Sequence, residues 1–385
     1  MPQRYHGTPR VAHGSRLSGM AQTIQAAVLH HVHDPLVVEP VELDAPGPGE
    51  VLVQLAASGV CHSCLHIMDG SMAWPDLPVV LGDEGAGTVE QVGPGVTTSQ
   101  PGDHVILSWS PACGRCRYCV TARPQLCERR PPRGRMHDGT TRRHLRGQDV
   151  QHMGPATYAT HTVVSAESVV PIRPDMPLDK AALIGCAVTT GAGAVLNTAG
   201  VRAGQSLAIF GAGGIGLNAV QGGRLCGAFP LIAVDLAENK LAFARGLGAT
   251  HTINAGLGDP VQAIRALTAG RGADYTVVAV GSGPAIQAAW DALAPGGTCV
   301  VIGAPPPEVR VAVNPVDLYR DEKRLTGSRY GSSRPLDDFG RFVDLYLAGK
   351  LELDALITRQ YPLDDVNEAH RALAAGENMR GLLVF

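Results

Sequence analysis

No excess of positive charge runs through this sequence, few of its side chains are aromatic, and no apolar stretch continues for long. The 32 Lys+Arg against 35 Asp+Glu give a formal charge of −3 over 385 residues. A nucleic-acid partner requires a basic stripe, and none is found. Apolar runs such as "SLAIFGAGGIG" are broken by glycine before they reach the ~20 residues of a membrane span, so no membrane partner is expected. Residues 1–19, "MPQRYHGTPRVAHGSRLSG", hold arginines but no acidic residue and lack the apolar centre of a secretory signal. They read as a disordered extension before a start at Met20, with an organellar transit peptide as the alternative; a cytoplasmic protein follows.

What is present is an ordinary globular composition, 45% apolar and 17% charged, on a chain long enough for two domains or for one interrupted by another. From Gln25 to Val105, short β-branched runs punctuated by Gly and Pro ("EVLVQLAASG", "GAGTVEQVG", "GDHVIL") have all-β texture. From Ser206 to about Gly303, continuous apolar strands ("SLAIF", "LIAVD", "YTVVAVG", "TCVVIGA") alternate with Ala/Leu-rich helical stretches, the pattern of a parallel α/β sheet. After Leu325 the texture is mixed, and the last strand, "GLLVF", is expected to rejoin the first domain.

Gly211, Gly213 and Gly216 form G-x-G-x-x-G directly after an apolar strand and at the opening of a helix. The first glycine permits the tight turn, the second lets a pyrophosphate approach the backbone, and the third lets helix pack on strand. The following strand ends in Asp235, the acid that holds ribose hydroxyls and repels a 2′-phosphate, which favours NAD over NADP.

Nine cysteines, several in C-x-x-C spacings, suggest metal binding in a reducing compartment. Cys113, Cys116, Cys119 and Cys127, spaced x2, x2, x7, can close a tetrahedral structural zinc site. An iron–sulfur cluster is the rival, but its fourth cysteine usually follows sooner and precedes proline. Cys226 and Cys299 read as small buried hydrophobes. The segment "GVCHSCLHIMDG" adds Cys61, His62, Cys64 and His66.

Taken together, "GVCHS", "LGDEGAGTVEQVG", the four-cysteine lobe, "GCAVTTGAGAV" and the glycine motif resemble the zinc-dependent medium-chain alcohol dehydrogenases, over nearly everything from Gln25 to Phe385. "DGTTRRHLRGQDVQHMGPATYATHTVV" further resembles the branch of formaldehyde dehydrogenases dependent on glutathione or mycothiol and of bacterial aryl-alcohol enzymes. The resemblance implies an α/β protein: a GroES-like β-rich catalytic domain (20–190 and 330–385, with a zinc lobe at about 108–130) and a Rossmann doubly wound parallel sheet (191–329). It also implies NAD, a structural Zn2+, a catalytic-position Zn2+, a homodimer or homotetramer, and a small alcohol or aldehyde as substrate.

Carried over by position, the catalytic-zinc cysteines are Cys61 and Cys186, while the family's ligand histidine is replaced in Gly82-Asp83-Glu84. The aspartate that supports that histidine is here Cys64. Because an aspartate oxygen ends roughly an ångström nearer its backbone than a histidine ring nitrogen does, two arrangements stay open. Either Cys64 joins Cys61 and Cys186 as a third thiolate, with Asp83 or Glu84 closing the site, or Cys64 stays behind and Asp83 takes the histidine's role. Ser63 matches the alcohol-binding hydroxyl and His66 the end of the proton relay, with a partly exposed helix histidine as the plain alternative. His62 and Arg380 match pyrophosphate contacts and Lys240 an adenosine-ribose contact. Met72, Trp74 and Trp109 are expected to wall the substrate pocket, with core packing of either tryptophan as the alternative; with aromatics only 4% of the chain, two tryptophans at one pocket point to a bulky or flat substrate. The alternatives are reduction of a polarised C=C or C=N bond without Lewis-acid zinc, and a silent nucleotide-binding protein.

Overall fold

A computed structural model describes residues 21–385 apart from Pro75; the expectation for residues 1–19 lies outside the described residues. The glycine-motif region forms a six-stranded sheet, every neighbouring pair parallel. Its spatial order is His251–Asn254, Leu231–Asp235, Leu207–Phe210, Ala273–Val278, Leu293–Val301, Arg324–Gly327. In chain order this is 3-2-1-4-5-6, the doubly wound arrangement, and the strand order reverses beside Leu207–Phe210. Ile209, Ile232, Val277 and Val300 are fully buried, as expected for strands covered by helices on both faces.

The β-rich part comprises a closed five-stranded barrel and a seven-stranded sheet. The C-terminal strand Arg380–Val384 pairs antiparallel with Glu50–Gly59, Leu382 opposite Gly59, so the tail does return to the N-terminal sheet. Arg380, at the start of that strand, is thereby carried to the junction of the two parts.

The same junction is crossed by a 22-residue helix, Leu178–Ala199, long and apolar enough by length and composition to cross a membrane. This corrects the sequence reading that no such stretch exists. Within its most apolar window 83% of the residues are buried inside the fold, so the apolarity fills a core. The helix is loosened to π geometry over Ile184–Val188 and Ala194–Ala199, the kind of local widening that often marks functional sites. Gly191 allows its close approach to the glycine-motif helix: a Cβ there would stand 2.2 Å from the Ile215 carbonyl oxygen. Cys299 is buried as expected, whereas Cys226 is only half-buried, because it is the last residue of the helix Gly214–Cys226.

Candidate active site

Strand Glu50–Gly59 ends beneath the site, and Cys61 caps the short helix His62–Met68 that follows. The Asp83-Glu84 pair arrives from a turn in which Gly82 has φ +105° and sits so close to Thr157 that a Cβ would meet its hydroxyl at 2.4 Å. Gly59 is equally constrained, since a Cβ would stand 2.5 Å from the Glu84 carboxylate. Cys186 comes from the first π stretch of the long helix. These three segments bring ligand atoms of Cys61, Asp83, Glu84 and Cys186 within 4.8 Å of one another, all buried.

The electrostatics reflect four acids crowded together, with buried Arg380 paired to one of them, Glu84. The Cys186 hydrogen bond, opposed by burial, holds the Cys61 thiol well below its ordinary pKa, while the same bond and burial push Cys186 well above it. Burial and the neighbouring Cys61 charge push Asp83 up to about 8. Asp83 Oδ2 accepts a hydrogen bond from Ser63 Oγ at 2.5 Å, but its Oδ1 is buried without a partner. Two thiols with an orphaned carboxylate oxygen form a donor set that fits a divalent zinc ion, whose charge favours the ionised form of each ligand. Glu84 forms an ion pair with buried Arg380, and its Oε1 accepts from the Ala187 N–H at 3.4 Å.

Cys64 stands apart from this set. Its sulfur lies 3.7 Å from the Met153 sulfur, fully buried in the apolar cluster under the site. Burial, then the charges of Asp83 and Cys61, push its thiol far up, which keeps it protonated. As the third residue of the helix, Cys64 faces Met153 and Tyr158 in the core, while Cys61 at the cap faces the cluster, a placement that favours the arrangement with Asp83 in the histidine's role.

Ser63 Oγ also lies 3.0 Å from Cys61 Sγ. His66 is directed elsewhere, its Nδ1 bonding the Ser71 hydroxyl at 2.9 Å. No hydrogen bond joins Ser63 to His66 directly among the described residues, so the relay expected from the resemblance is not continuous in protein groups alone.

At the glycine turn, a Cβ on Gly216 would sit 1.7 Å from the Gly211 carbonyl oxygen, so only glycine lets the helix pack there. Above Gly213 a Cβ meets nothing within 4 Å, leaving open space at the N-terminus of a 13-residue helix. Asp235 Oδ2 accepts from the Ala212 N–H at 2.7 Å and its Oδ1 from Leu236 and Ala237, fixing the carboxylate beside the turn. Arg380 lies over this helix start, 3.4 Å from a Cβ on Gly214. Lys240 Nζ is 3.8 Å from a Cβ on Gly376 and, with Arg380, lies near enough to His62 to oppose its protonation. Cationic and glycine elements thus gather where a dinucleotide pyrophosphate and ribose would lie, and the cradle fits NAD.

Met72, Trp74 and Trp109 pack against the apolar cluster that contains Cys61 and Cys186. Trp109 packs against Tyr330 with ring centroids 4.4 Å apart and planes tilted by 45°, and Gly154 separates it from Asp83: a Cβ there would be 3.2 Å from Trp109 Cβ and 3.7 Å from Asp83 Cβ. The sequence reading missed Met153, Tyr158, Tyr330 and His370, which floor the site; isolated residues in loops and helices carry no periodic signal that would flag them.

The four lobe sulfurs form the second cluster, also within 4.8 Å of one another. Cys116 Sγ is 3.5 Å from Cys119 Sγ and 3.8 Å from Cys127 Sγ. Those separations match the roughly 3.8 Å edge of a tetrahedron with Zn–S bonds of about 2.3 Å, so the lobe fits structural zinc. Backbone N–H groups of Cys119 and Glu128 draw the Cys116 thiol down to about 6.

Comparison with known proteins supplies the class. The alcohol dehydrogenase GroES-like domain family matches residues 47–174 and the zinc-binding dehydrogenase family residues 214–348. The NDMA-dependent alcohol dehydrogenase of Amycolatopsis methanolica is 41% identical over 368 residues, 94% of this chain and 98% of that protein. Among solved structures, an alcohol dehydrogenase zinc-binding domain protein from Burkholderia ambifaria superposes with a TM-score of 0.91 at 35% identity, covering 95% of this chain and 100% of the other. Benzyl alcohol dehydrogenase from Acinetobacter calcoaceticus gives 0.90 at 33%, covering 94% and 99%. The chain belongs to the zinc-binding medium-chain alcohol dehydrogenase family. It is an NAD(H)-dependent oxidoreductase of alcohols.

Proposed function

We propose that the protein interconverts a primary alcohol with a flat apolar body and its aldehyde, with Cys61, Asp83 and Cys186 holding the catalytic zinc. The observation that carries this reading is the convergence of Cys61, Asp83, Glu84 and Cys186 within 4.8 Å, beside the apolar cluster on which Met72, Trp74 and Trp109 pack. A zinc ion there supplies Lewis-acid polarisation of the substrate oxygen. Ser63 holds the hydroxyl proton of the alcohol and orients it, with Asp83 Oδ2 accepting the serine's own proton at 2.5 Å. Arg380 and Lys240 bind the cofactor's phosphate and ribose groups, and Glu84 keeps Arg380 in place by their ion pair. His66 is the solvent-side end of the proton path, and a bridging group must join it to Ser63, since its Nδ1 bonds Ser71 instead. The tryptophan walls keep water from the hydride path.

The working unit in this reading is a catalytic domain of 20–190 and 330–385 around a Rossmann domain of 191–329, assembled as a homodimer or homotetramer in the cytoplasm. Support for association comes from Arg324–Gly327, an edge strand with all four residues exposed, flanked by exposed Val316, Leu318 and Tyr319. All nine cysteines are free thiols, in keeping with a reducing compartment.

The test is metal content with a substrate screen. Two zinc equivalents per chain and NADH formation from aryl and alkyl alcohols are expected. One equivalent, with turnover of enals or imines only, would replace this reading by C=C or C=N reduction; two equivalents with no turnover of any of these would support the silent nucleotide-binding alternative.

A further inference from the structure

Cys186 lies where the long helix leaves α geometry, and two carbonyls of the π turn that carries it, Ile184–Val188, are taken up by side-chain hydroxyls. The Ile184 carbonyl accepts from the Thr189 hydroxyl at 2.6 Å, a bond made within the helix. The next carbonyl, that of Gly185, accepts from the Tyr330 hydroxyl, which arrives from a loop 145 residues further along the chain. Tyr330 is 2% exposed, and burial raises its phenol well above its ordinary pKa, so the hydroxyl stays a donor. From strand His104–Leu107, the Leu107 carbonyl oxygen approaches so closely that a Cβ on Gly185 would stand 3.0 Å from it. The turn is thus held by that strand as well as by Tyr330.

The backbone that delivers Tyr330 is strained. Tyr330, Gly331 and Ser332 have φ of +56°, +64° and +49°, three consecutive left-handed residues of which only the glycine adopts that region without cost. Contacts with the long helix hold them there. A Cβ on Gly331 would stand 2.0 Å from the Thr189 carbonyl oxygen. The Gly331 carbonyl accepts from Asn197 Nδ2 at 3.2 Å, and Ser332 Oγ accepts from Thr198 Oγ1 at 2.8 Å. One buried side chain therefore touches both the turn that bears Cys186 and, through its ring, Trp109. Because Cys186 directly follows Gly185, the planar peptide between them, fixed at its carbonyl oxygen, sets the direction in which the cysteine leaves the turn. Resting on the reading of Cys186 as a zinc ligand, we infer that Tyr330 is a positioning residue for the metal site: its hydroxyl, donated to the Gly185 carbonyl, holds the π turn in the phase that aims Cys186 Sγ at Cys61 and Asp83.

Tyr330→Phe tests this, since it keeps the ring against Trp109 and removes the hydroxyl alone. When the zinc-loaded protein is mixed with a chromogenic chelator, the variant should release one zinc equivalent about tenfold or more faster than the unmodified protein, with the equivalent of the cysteine lobe released at an unchanged rate. For benzyl alcohol, kcat should fall by a similar factor at unchanged KM, because the ring beside the pocket is still in place. A variant that melts at a lower temperature but releases zinc and turns over as the unmodified protein does would show that the hydroxyl only satisfies a buried carbonyl, and would overturn the inference. Equal acceleration of both equivalents would overturn it as well. If the unmodified protein holds a single equivalent, the reading of Cys186 as a ligand fails separately, and Tyr330 is judged by hydrogen exchange read by mass spectrometry. Amides of residues 186–190 should then exchange about tenfold or more faster in Tyr330→Phe, with those of the helix Gly214–Cys226 unchanged; identical exchange over 186–190 would reject the positioning role.

Discussion

At the scale of single residues the decisive position is Asp83. Two thiolates and one carboxylate carry three negative charges against a dication, where the histidine set of the resembled family carries two. In the proposed ligand set the extra charge would make a bound zinc a weaker Lewis acid, and Ser63, whose hydroxyl donates to Asp83 Oδ2, would couple the substrate hydroxyl to that ligand. Asp83→Ala is expected to remove one zinc equivalent and reduce turnover by at least the ~100-fold that changes outside the ligand shell already cost. Cys64→Ser should retain both equivalents, because its sulfur faces Met153; loss of metal in Cys64→Ser alone would restore the three-thiolate arrangement. Mass spectrometry of the native protein reads both. His370 gives a pH prediction. Burial, then the charge of His62, holds its ring at about 4, below the ~6.5 of an exposed histidine. A depressed folded pKa contributes stability that is fully present above about 6.5 and is lost as pH falls toward 4, in all about 2–3 kcal/mol. The slope of melting temperature against pH over that window should be shallower in His370→Phe, and an unchanged slope would show that the ring titrates normally.

At the scale of elements, the four-cysteine lobe and the long helix do different work. The lobe has only a four-residue helix, Arg117–Val120, with no buried residue, and a three-residue turn, so it has little apolar core to hold it. Its shape must come from the metal, since four thiolates closing one ion leave no open position for substrate. Cys116→Ser should therefore release one zinc equivalent and lower the melting temperature, read by calorimetry alongside metal content. A variant that melts normally and loses only turnover would contradict a structural role. The long helix, by contrast, is held by packing, and its π turn puts Cys186 opposite Cys61 on an otherwise apolar face. An i, i+4 pattern does not reveal such a turn, and the sequence reading of Cys186 came from the resemblance of "GCAVTTGAGAV" alone.

At the scale of the whole molecule, legibility followed locality. The strand, glycine turn, helix and Asp235 lie within thirty residues, and their signal is the backbone requirement itself, visible at Gly216, where a Cβ would clash with the Gly211 carbonyl oxygen at 1.7 Å. The four cysteines of the lobe are equally local. The candidate catalytic cluster joins Cys61 and Asp83 to Cys186, which lies more than a hundred residues further along the chain, and the inward turn of Cys64 depends on a helix phase that spacing does not fix. Trp109 and Tyr330 are more than two hundred residues apart in sequence and meet with ring centroids 4.4 Å apart, so their pairing had no local trace. The buried character of Leu178–Ala199 was likewise decided by what surrounds it. The account as a whole stands on hydride passing from a substrate carbon to the cofactor at the Asp83 site. The direct measurement incubates the zinc-loaded protein with NAD and benzyl alcohol deuterated at the carbinol carbon, then weighs the cofactor by mass spectrometry. The expected result is NADH heavier by one deuterium, formed together with benzaldehyde in equal amount and absent in Asp83→Ala. Protein with both zinc equivalents that yields neither labelled NADH nor aldehyde would contradict it.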